Sequence, residues 1–155
     1  MKTVIFAGMG RSGKDTGCEI FASLTGLRNA GTCSVYLADY VAAALGQSRE
    51  QAYAERHLKR EIWRALGDEM RRHDPAIIIR TMLQHGEIGG GPRELAEVEA
   101  ARAEGLGDLW VWVDRDVPVD PTVEYGPGHC DIVIENKGTL DEYAAKLRRL
   151  AAFAG

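Results

Sequence analysis

Residues Gly8-Met9-Gly10-Arg11-Ser12-Gly13-Lys14-Asp15-Thr16 stand directly behind the apolar run Thr3-Val4-Ile5-Phe6-Ala7, and no other stretch restricts the fold as strongly. The run has the length and β-branched character of a strand buried on both faces. The glycines let the chain turn sharply and aim successive N–H groups inward, because positions without Cβ tolerate such conformations. Lys14 stands at the start of a helix predicted over Asp15 to Thr25. A helix N-terminus offers unpaired N–H donors and a partial positive charge, so loop, ammonium and helix end together make a phosphate cradle. The spacing G-x-x-x-x-G-K is that of the phosphate-binding P-loop, in its required context of a strand before and a helix after.

The hydroxyl residue that usually follows the P-loop Lys and holds Mg²⁺ is displaced by one position. Asp15 intervenes and Thr16 carries the hydroxyl, a G-K-x-T form similar to that of nucleoside monophosphate kinases. Asp15 reads either as part of the metal site or as an acidic first-turn residue favoured by the helix dipole.

A chain of 155 residues is most simply one domain, able to bury roughly 70% of its unfolded surface. Its net charge of −4 argues against a nucleic-acid polymer as partner. Cys18, Cys33 and Cys130 lie in no C-x-x-C pair and read as reduced thiols, which points to the cytoplasm. No long apolar segment or cleavage signature suggests export or a membrane span. His57, His73, His85 and His129 show no H-x-x-x-H spacing, so no metal site is assigned to them.

Along the chain, Gly26 to Gly31 reads as a turn and Ser34-Val35-Tyr36-Leu37 as a second strand, leading through Asp39 into a short helix that stops near Gly46. One long helix is expected from about Arg49 to Arg72. Asp74-Pro75 then opens another to about His85. Glu87 to Gly91 supplies a glycine-rich third strand, and Pro92-Arg93 opens a helix to about Glu104. Leu109 to Val113 and Asp131 to Glu135 are the fourth and fifth strands. Between these two, residues 114–130 lack periodicity and contain Pro118, Pro121 and Pro127. A loop of that length in a compact domain is commonly a lid, a static surface loop being the alternative. Thr139-Leu140-Asp141-Glu142 forms a capping box for a last helix whose buried stripe is Tyr143, Leu147, Leu150 and Phe153. Strands alternating with helices predict an α/β fold of three layers: about five parallel strands with helices on both faces. The ligand then belongs at the carboxyl ends of the strands.

In Arg11-Ser12-Gly13-Lys14-Asp15-Thr16, Leu66-Gly67-Asp68, Asp74-Pro75, Arg93-x-x-x-Glu97 with Glu99 to Ala103, and Asp131 to Leu140, the chain resembles the deoxynucleoside monophosphate kinases of tailed bacteriophages, a P-loop kinase family. Animal phosphomevalonate kinases are similar in their Lys-Asp P-loop. The resemblance implies transfer of the γ-phosphoryl group of ATP to a deoxynucleoside 5′-monophosphate. It implies Mg²⁺ held mainly through phosphates and waters, and small molecules as the partners. An apolar helix face in the middle of the chain would suit a homodimer, and a monomer stays open.

On this resemblance, Lys14 and the amides of Gly10, Arg11, Ser12, Gly13, Asp15 and Thr16 hold the ATP phosphates. Arg93 binds the monophosphate, and Glu97 helps fix the base or sugar. Arg60, Gly67 and Asp68 line that second site, while Arg115, Asn136 and Gly138 lie near the adenine. Where the family commonly carries Asp, two residues before Arg93, this chain has Gly91. Phosphoryl transfer needs in-line positioning and neutralised charge, so Lys14, Arg93 and Arg11 are the catalytic candidates. Arg11 reads equally as a solvent-facing residue, and Glu97 as an exposed helix carboxylate. Asp39 either orients a substrate hydroxyl or hydrated Mg²⁺, or caps a helix. The helical Arg64, Arg71, Arg72 and Arg80 read as solvated faces. Two rival functions remain: phosphorylation of a different phosphorylated acceptor such as phosphomevalonate, and nucleotide binding without catalysis.

Overall fold

A computed structural model describes residues 3–154. Five parallel strands form one sheet in the order β2-β3-β1-β4-β5: β1 Val4–Ala7, β2 Asn29–Thr32, β3 Ile88–Gly90, β4 Leu109–Asp114 and β5 Ile132–Glu135. The helices are α1 Lys14–Thr25, α2 Cys33–Leu45, α3 Arg49–Ala54, α4 Arg60–His73, α5 Ile77–His85, α6 Leu95–Ala103 and α7 Leu140–Ala154. β1 is buried along its whole length, as its unbroken apolar run requires. Val4, Phe6, Val111, Val113 and Ile134 face α1 and α7, packing on Phe21, Tyr143 and Leu147. Ile5, Ala7, Trp110 and Trp112 face the opposite way, onto Ile78, Ile79 and Met82 of α5 and Val98 and Ala101 of α6. The three-layer α/β architecture is therefore the expected one.

β3 is glycine-rich because α5 presses directly on it: a β-carbon on Gly89 would lie 2.5 Å from Met82 Sδ. Its three residues pair with β1 and β2 and are fully buried.

Four local expectations are corrected. The second strand is Asn29–Thr32, within and just beyond the expected turn, whereas Ser34 to Leu37 lie in the first turns of α2. A short apolar run is ambiguous between strand and buried helix. Here Cys33, Ala38, Val41 and Ala42 bury one helical face, and Tyr36 folds its hydroxyl back onto the carbonyl of Ala30 (2.6 Å). Asp39 consequently follows no strand and caps no helix: it sits exposed inside α2, paired with Arg49 at 3.6 Å. The long middle helix is two helices. In one straight helix Tyr53 and Trp63 would stand about 15 Å apart, but their rings meet edge-on at 6.4 Å. That contact demands the break at residues 55–59, across which Lys59 pairs with Glu55 at 2.7 Å. Phe153, expected on the buried stripe of α7, is exposed, while Tyr143 and Leu147 are buried.

Residues 115–131 replace the helix that usually joins two parallel strands. The segment lies over the α5–α6 face of the sheet, held by buried Val123 and Tyr125, with Tyr125 Oη donating to Pro92 O at 2.7 Å. Glu124 N donates to Arg93 O at 2.8 Å, so the segment is stitched to the end of β3.

Candidate active site

The Gly-rich loop closes over the carboxyl end of β1 as its sequence demands. Gly13, with φ 96°, forms the N-cap of α1, and Arg11 takes a left-handed φ of 66°. Among the described residues, the main-chain N–H groups of Gly13, Lys14, Asp15 and Thr16 make no main-chain hydrogen bond, while Ser12 N reaches Met9 O at 3.2 Å. These are the orphan donors of a helix start, gathered on the concave side of a loop. Lys14 Nζ folds back over them to Met9 O at 3.1 Å.

Two side chains brace the loop from outside: Asn136 Nδ2 donates to Ser12 O and Tyr143 Oη to Gly13 O, each at 2.9 Å. Asn136 thus acts on the P-loop itself. The bracing role of Tyr143 was not legible, since its spacing marks it only as core. Gly138 is exposed, between Asn136 and the start of α7. Lys137 bridges Asp114 at 3.3 Å and Asp116 at 3.5 Å, tying the loop after β5 to the end of β4. Arg115 is exposed there and, with Met9, Trp112, Val117, Pro127 and Val133, lines a cavity of about 330 Å³. That volume is at the lower end of small-molecule sites.

Arg93 leaves the end of β3 and reaches Asp120 Oδ2 at 2.9 Å, also donating to Thr122 Oγ1. It stands close enough to depress the Lys14 pKa: burial is the main cause, repulsion by Arg93 the second, and Asp15 and Asp120 oppose them. Lys14 therefore lies within electrostatic reach of Arg93, with the Asp120 carboxylate bound to Arg93 and attracting Lys14.

On the far side of Arg93 lies a charged cluster. Glu97 is 1% exposed, so it is not the surface carboxylate that its helix position allowed. Its Oε2 accepts from Arg93 N at 3.4 Å, and its Oε1 stands 3.5 Å from Arg71 Nε with no hydrogen bond between them. Arg71 Nη1 also binds Glu94 at 2.9 Å and stands 3.8 Å from Asp68. Burial pushes the pKa of Glu97 up despite the attraction of Arg71, and burial does the same to Glu94. Gly67 admits this guanidinium, since a β-carbon there would be 3.0 Å from Arg71 Nη1.

Gly67, Asp68, Arg93 and Glu97 are thus brought together at one end of the cleft, and residues 10–16 with Asn136 at the other. Arg60 and Asp39 are not part of either group. Arg60 is exposed at the start of α4, about 10 Å along the helix from Gly67. Arg71, read as one of several solvated helical arginines, is the one whose side chain is mostly covered, at 15% exposure. Arg80 does lie on the surface, paired with Asp74 and Glu104. Asp120, Thr122 and Glu94 were not singled out at all. Asp120-Pro121-Thr122 carries a turn signal, but nothing local places it against the P-loop. Among the described residues no group of three or more His, Cys, Asp or Glu is arranged to hold a metal ion. No described helix is long and apolar enough to cross a membrane.

The sheet order, the parallel strands and the P-loop at the end of the central strand define the P-loop kinase fold. The shikimate kinase of Bacteroides thetaiotaomicron shares it, with a TM-score of 0.55 at 12% identity over 98% of each chain. The shikimate kinase of Aquifex aeolicus aligns with a TM-score of 0.46 at 12% identity over 98% of this chain and 96% of that one. No family model matches the sequence, and no curated protein does.

Proposed function

We infer that the protein is an ATP-dependent kinase that phosphorylates a small acceptor, and that the acceptor is a deoxynucleoside 5′-monophosphate. The observation that carries the first part is the convergence of Lys14, Arg93 and the unpaired amides of residues 13–16. Lys14 is partly buried near the half-exposed Arg93, and an anion with several acceptor oxygens would meet both cations and the amides at once. The acceptor's identity rests on the resemblance of Arg93-x-x-x-Glu97 and the surrounding motifs to the bacteriophage deoxynucleoside monophosphate kinases. The shikimate kinase of Bacteroides thetaiotaomicron, which shares the fold, makes shikimate the second reading.

The residues fit Mg·ATP: donors without internal partners face the loop's hollow, and the exposed Asp15 and Thr16 offer the hard oxygens that Mg²⁺ takes. Bound Mg·ATP supplies the phosphoryl group and neutralises part of its charge. Lys14 and the amides would grip the phosphates, with Asn136 and Tyr143 keeping the loop's carbonyls turned outward. Arg115, Gly138 and the cavity beside Met9 would receive the base. Arg93 would draw the acceptor's phosphate to the same point, and Arg11, exposed on the loop, can reach the moving group. Gly67, Asp68 and Glu97 would shape the acceptor side. One chain would serve, as a soluble enzyme of the cytoplasm, and the lid role of residues 114–130 belongs to this same proposal.

A coupled ADP-release assay over the four deoxynucleoside monophosphates, with phosphomevalonate and shikimate beside them, tests the reading. Acceptor-dependent ADP release with at least one deoxynucleotide is the expected result. Release with shikimate or phosphomevalonate alone would reassign the acceptor. ATP binding with no release under any acceptor would leave only the non-catalytic role.

A further inference from the structure

Asp120 lies where the cleft is built to take an anion. Its Oδ2 accepts from Arg93 Nη1 at 2.9 Å, and its Oδ1 accepts from Thr122 N at 3.0 Å and Thr122 Oγ1 at 2.6 Å. Its N–H points at Met9 Sδ at 3.4 Å. The carboxylate hangs so close above the P-loop that a β-carbon on Gly10 would be 2.9 Å from Oδ2. It also attracts Lys14. One carboxylate from the segment between β4 and β5 therefore touches or faces Arg93, Lys14 and Gly10 of the P-loop. It is ionised: burial pushes its pKa up, but the hydrogen bonds from Thr122 and Arg93 outweigh that and hold it below the usual carboxylate range. The guanidinium it binds is half exposed, so the contact can be exchanged for another.

We propose that Asp120 is a stand-in anion, occupying Arg93 in the ligand-free protein and yielding it to a phosphate group. The proposal rests on Arg93 being the phosphate contact of the function inferred above. A phosphate brings nearly two charges and three acceptor oxygens, against one charge and a single free oxygen from Asp120. A dianion can therefore compete with the carboxylate for Arg93. The cost of displacement lowers the affinity of every anion for the site by the fraction of molecules in which Arg93 is held. Thr122 keeps that fraction high by fixing the carboxylate's orientation.

Calorimetric titration with inorganic phosphate, at a pH where it is the dianion, decides the matter in four proteins: wild type, Asp120→Asn, Arg93→Gln and the double variant. Asp120→Asn is expected to tighten phosphate binding roughly two- to fivefold, the scale of a half-exposed ion pair released from competition. In the Arg93→Gln background most of that gain should vanish. Unchanged or weaker binding in Asp120→Asn overturns the proposal, since Asp120 would then be neutral or would hold Arg93 in its productive pose. An equal gain in both backgrounds overturns it too, because the effect would be a general field on Lys14. Absence of heat in every protein does the same. Thr122→Val removes the hydroxyl that holds both Asp120 and Arg93, leaves the main-chain bond to the carboxylate, and should tighten binding in the same direction, so it carries the test if Asp120→Asn does not fold. The titration is independent of turnover. An improved phosphate site with no acceptor-dependent ADP release would retain the stand-in and remove the kinase reading, and turnover with unaltered phosphate binding would do the reverse.

Discussion

On the β1–α1 side the cleft is lined by main chain: unpaired amides of residues 13–16, carbonyls of Ser12 and Gly13 tied back by Asn136 and Tyr143, and one ammonium. On the α4–α6 side it is lined by side chains: Arg71 among Glu94, Glu97 and Asp68, linked to Arg93 through a single main-chain contact. Amide donors ordered by a helix start cost little to hold in place, since the backbone is already fixed. Charged side chains brought out of water are expensive, and Glu97 Oε1 and Arg71 Nε do not even complete a hydrogen bond. In the function proposed above, the first arrangement would suit the nucleotide phosphates, and the second would place its cost on the acceptor side.

The largest effect that would sharpen this contrast is on catalysis. Lys14→Ala should lower the turnover measured by ADP release by roughly 10²–10³-fold, the scale of losing one preorganised electrostatic donor. It should leave urea stability nearly unchanged, because Lys14 gives only one contact to Met9 O. Wild-type turnover in this variant would break the comparison on its first side.

Arg71→Met should act in the opposite sense, on stability before chemistry. Removing one partner of a buried pair costs about 3 kcal/mol or more, read as a shifted urea midpoint. A loss too small to measure would mean that Glu97 tolerates burial alone.

The pH dependence of stability separates those two cases. Burial raises the folded-state pKa of Glu97 above the ordinary 4.5, so between 4.5 and that raised value the native state binds more protons than the unfolded chain. Stability from this group is then fully present at low pH and is lost as pH rises through the window. Glu97→Gln should gain on wild type as the pH rises above 4.5, in urea unfolding curves taken across the range. A variant running parallel to wild type would remove Glu97 from the account.

The smallest effect concerns the brace. Tyr143→Phe deletes the hydrogen bond to Gly13 O at 2.9 Å and should cost about 1 kcal/mol of stability, with a modest weakening of ATP binding by calorimetry. An unaltered midpoint would show that the loop needs no such support.

How much of this was legible follows the same division. The P-loop could be read because its glycines, its Lys and the strand before it are consecutive, and the short-range geometry they impose is the site. β4, β5, both ends of α1, the end of α5 and the start of α7 were read for similar reasons, whereas α5 begins at Ile77 behind Ala76 and not at the expected Asp74-Pro75 cap. The strand at Asn29–Thr32 was missed because Gly31 (φ 87°) and Asn29 look like turn residues, and only pairing with β3 makes them a strand. The break between α3 and α4 carries no Gly or Pro at all. It exists because Tyr53 and Trp63 pack against each other. Glu97 was singled out by resemblance, but its burial was not, and Arg71 could not be told from Arg64 or Arg72 by spacing alone.

By itself, then, the amino-acid sequence determined an alternating α/β chain with an anion-binding turn after its first strand, since strand periodicity, glycine freedom and helix-start amides are properties of neighbouring residues. Tertiary structure alone decided which of many arginines is buried, which carboxylate from a distant loop meets Arg93, and which face of the sheet that loop covers. Those outcomes depend on contacts between residues 23 to 111 positions apart. No local pattern encodes them, because each is settled only when the rest of the core has closed around it.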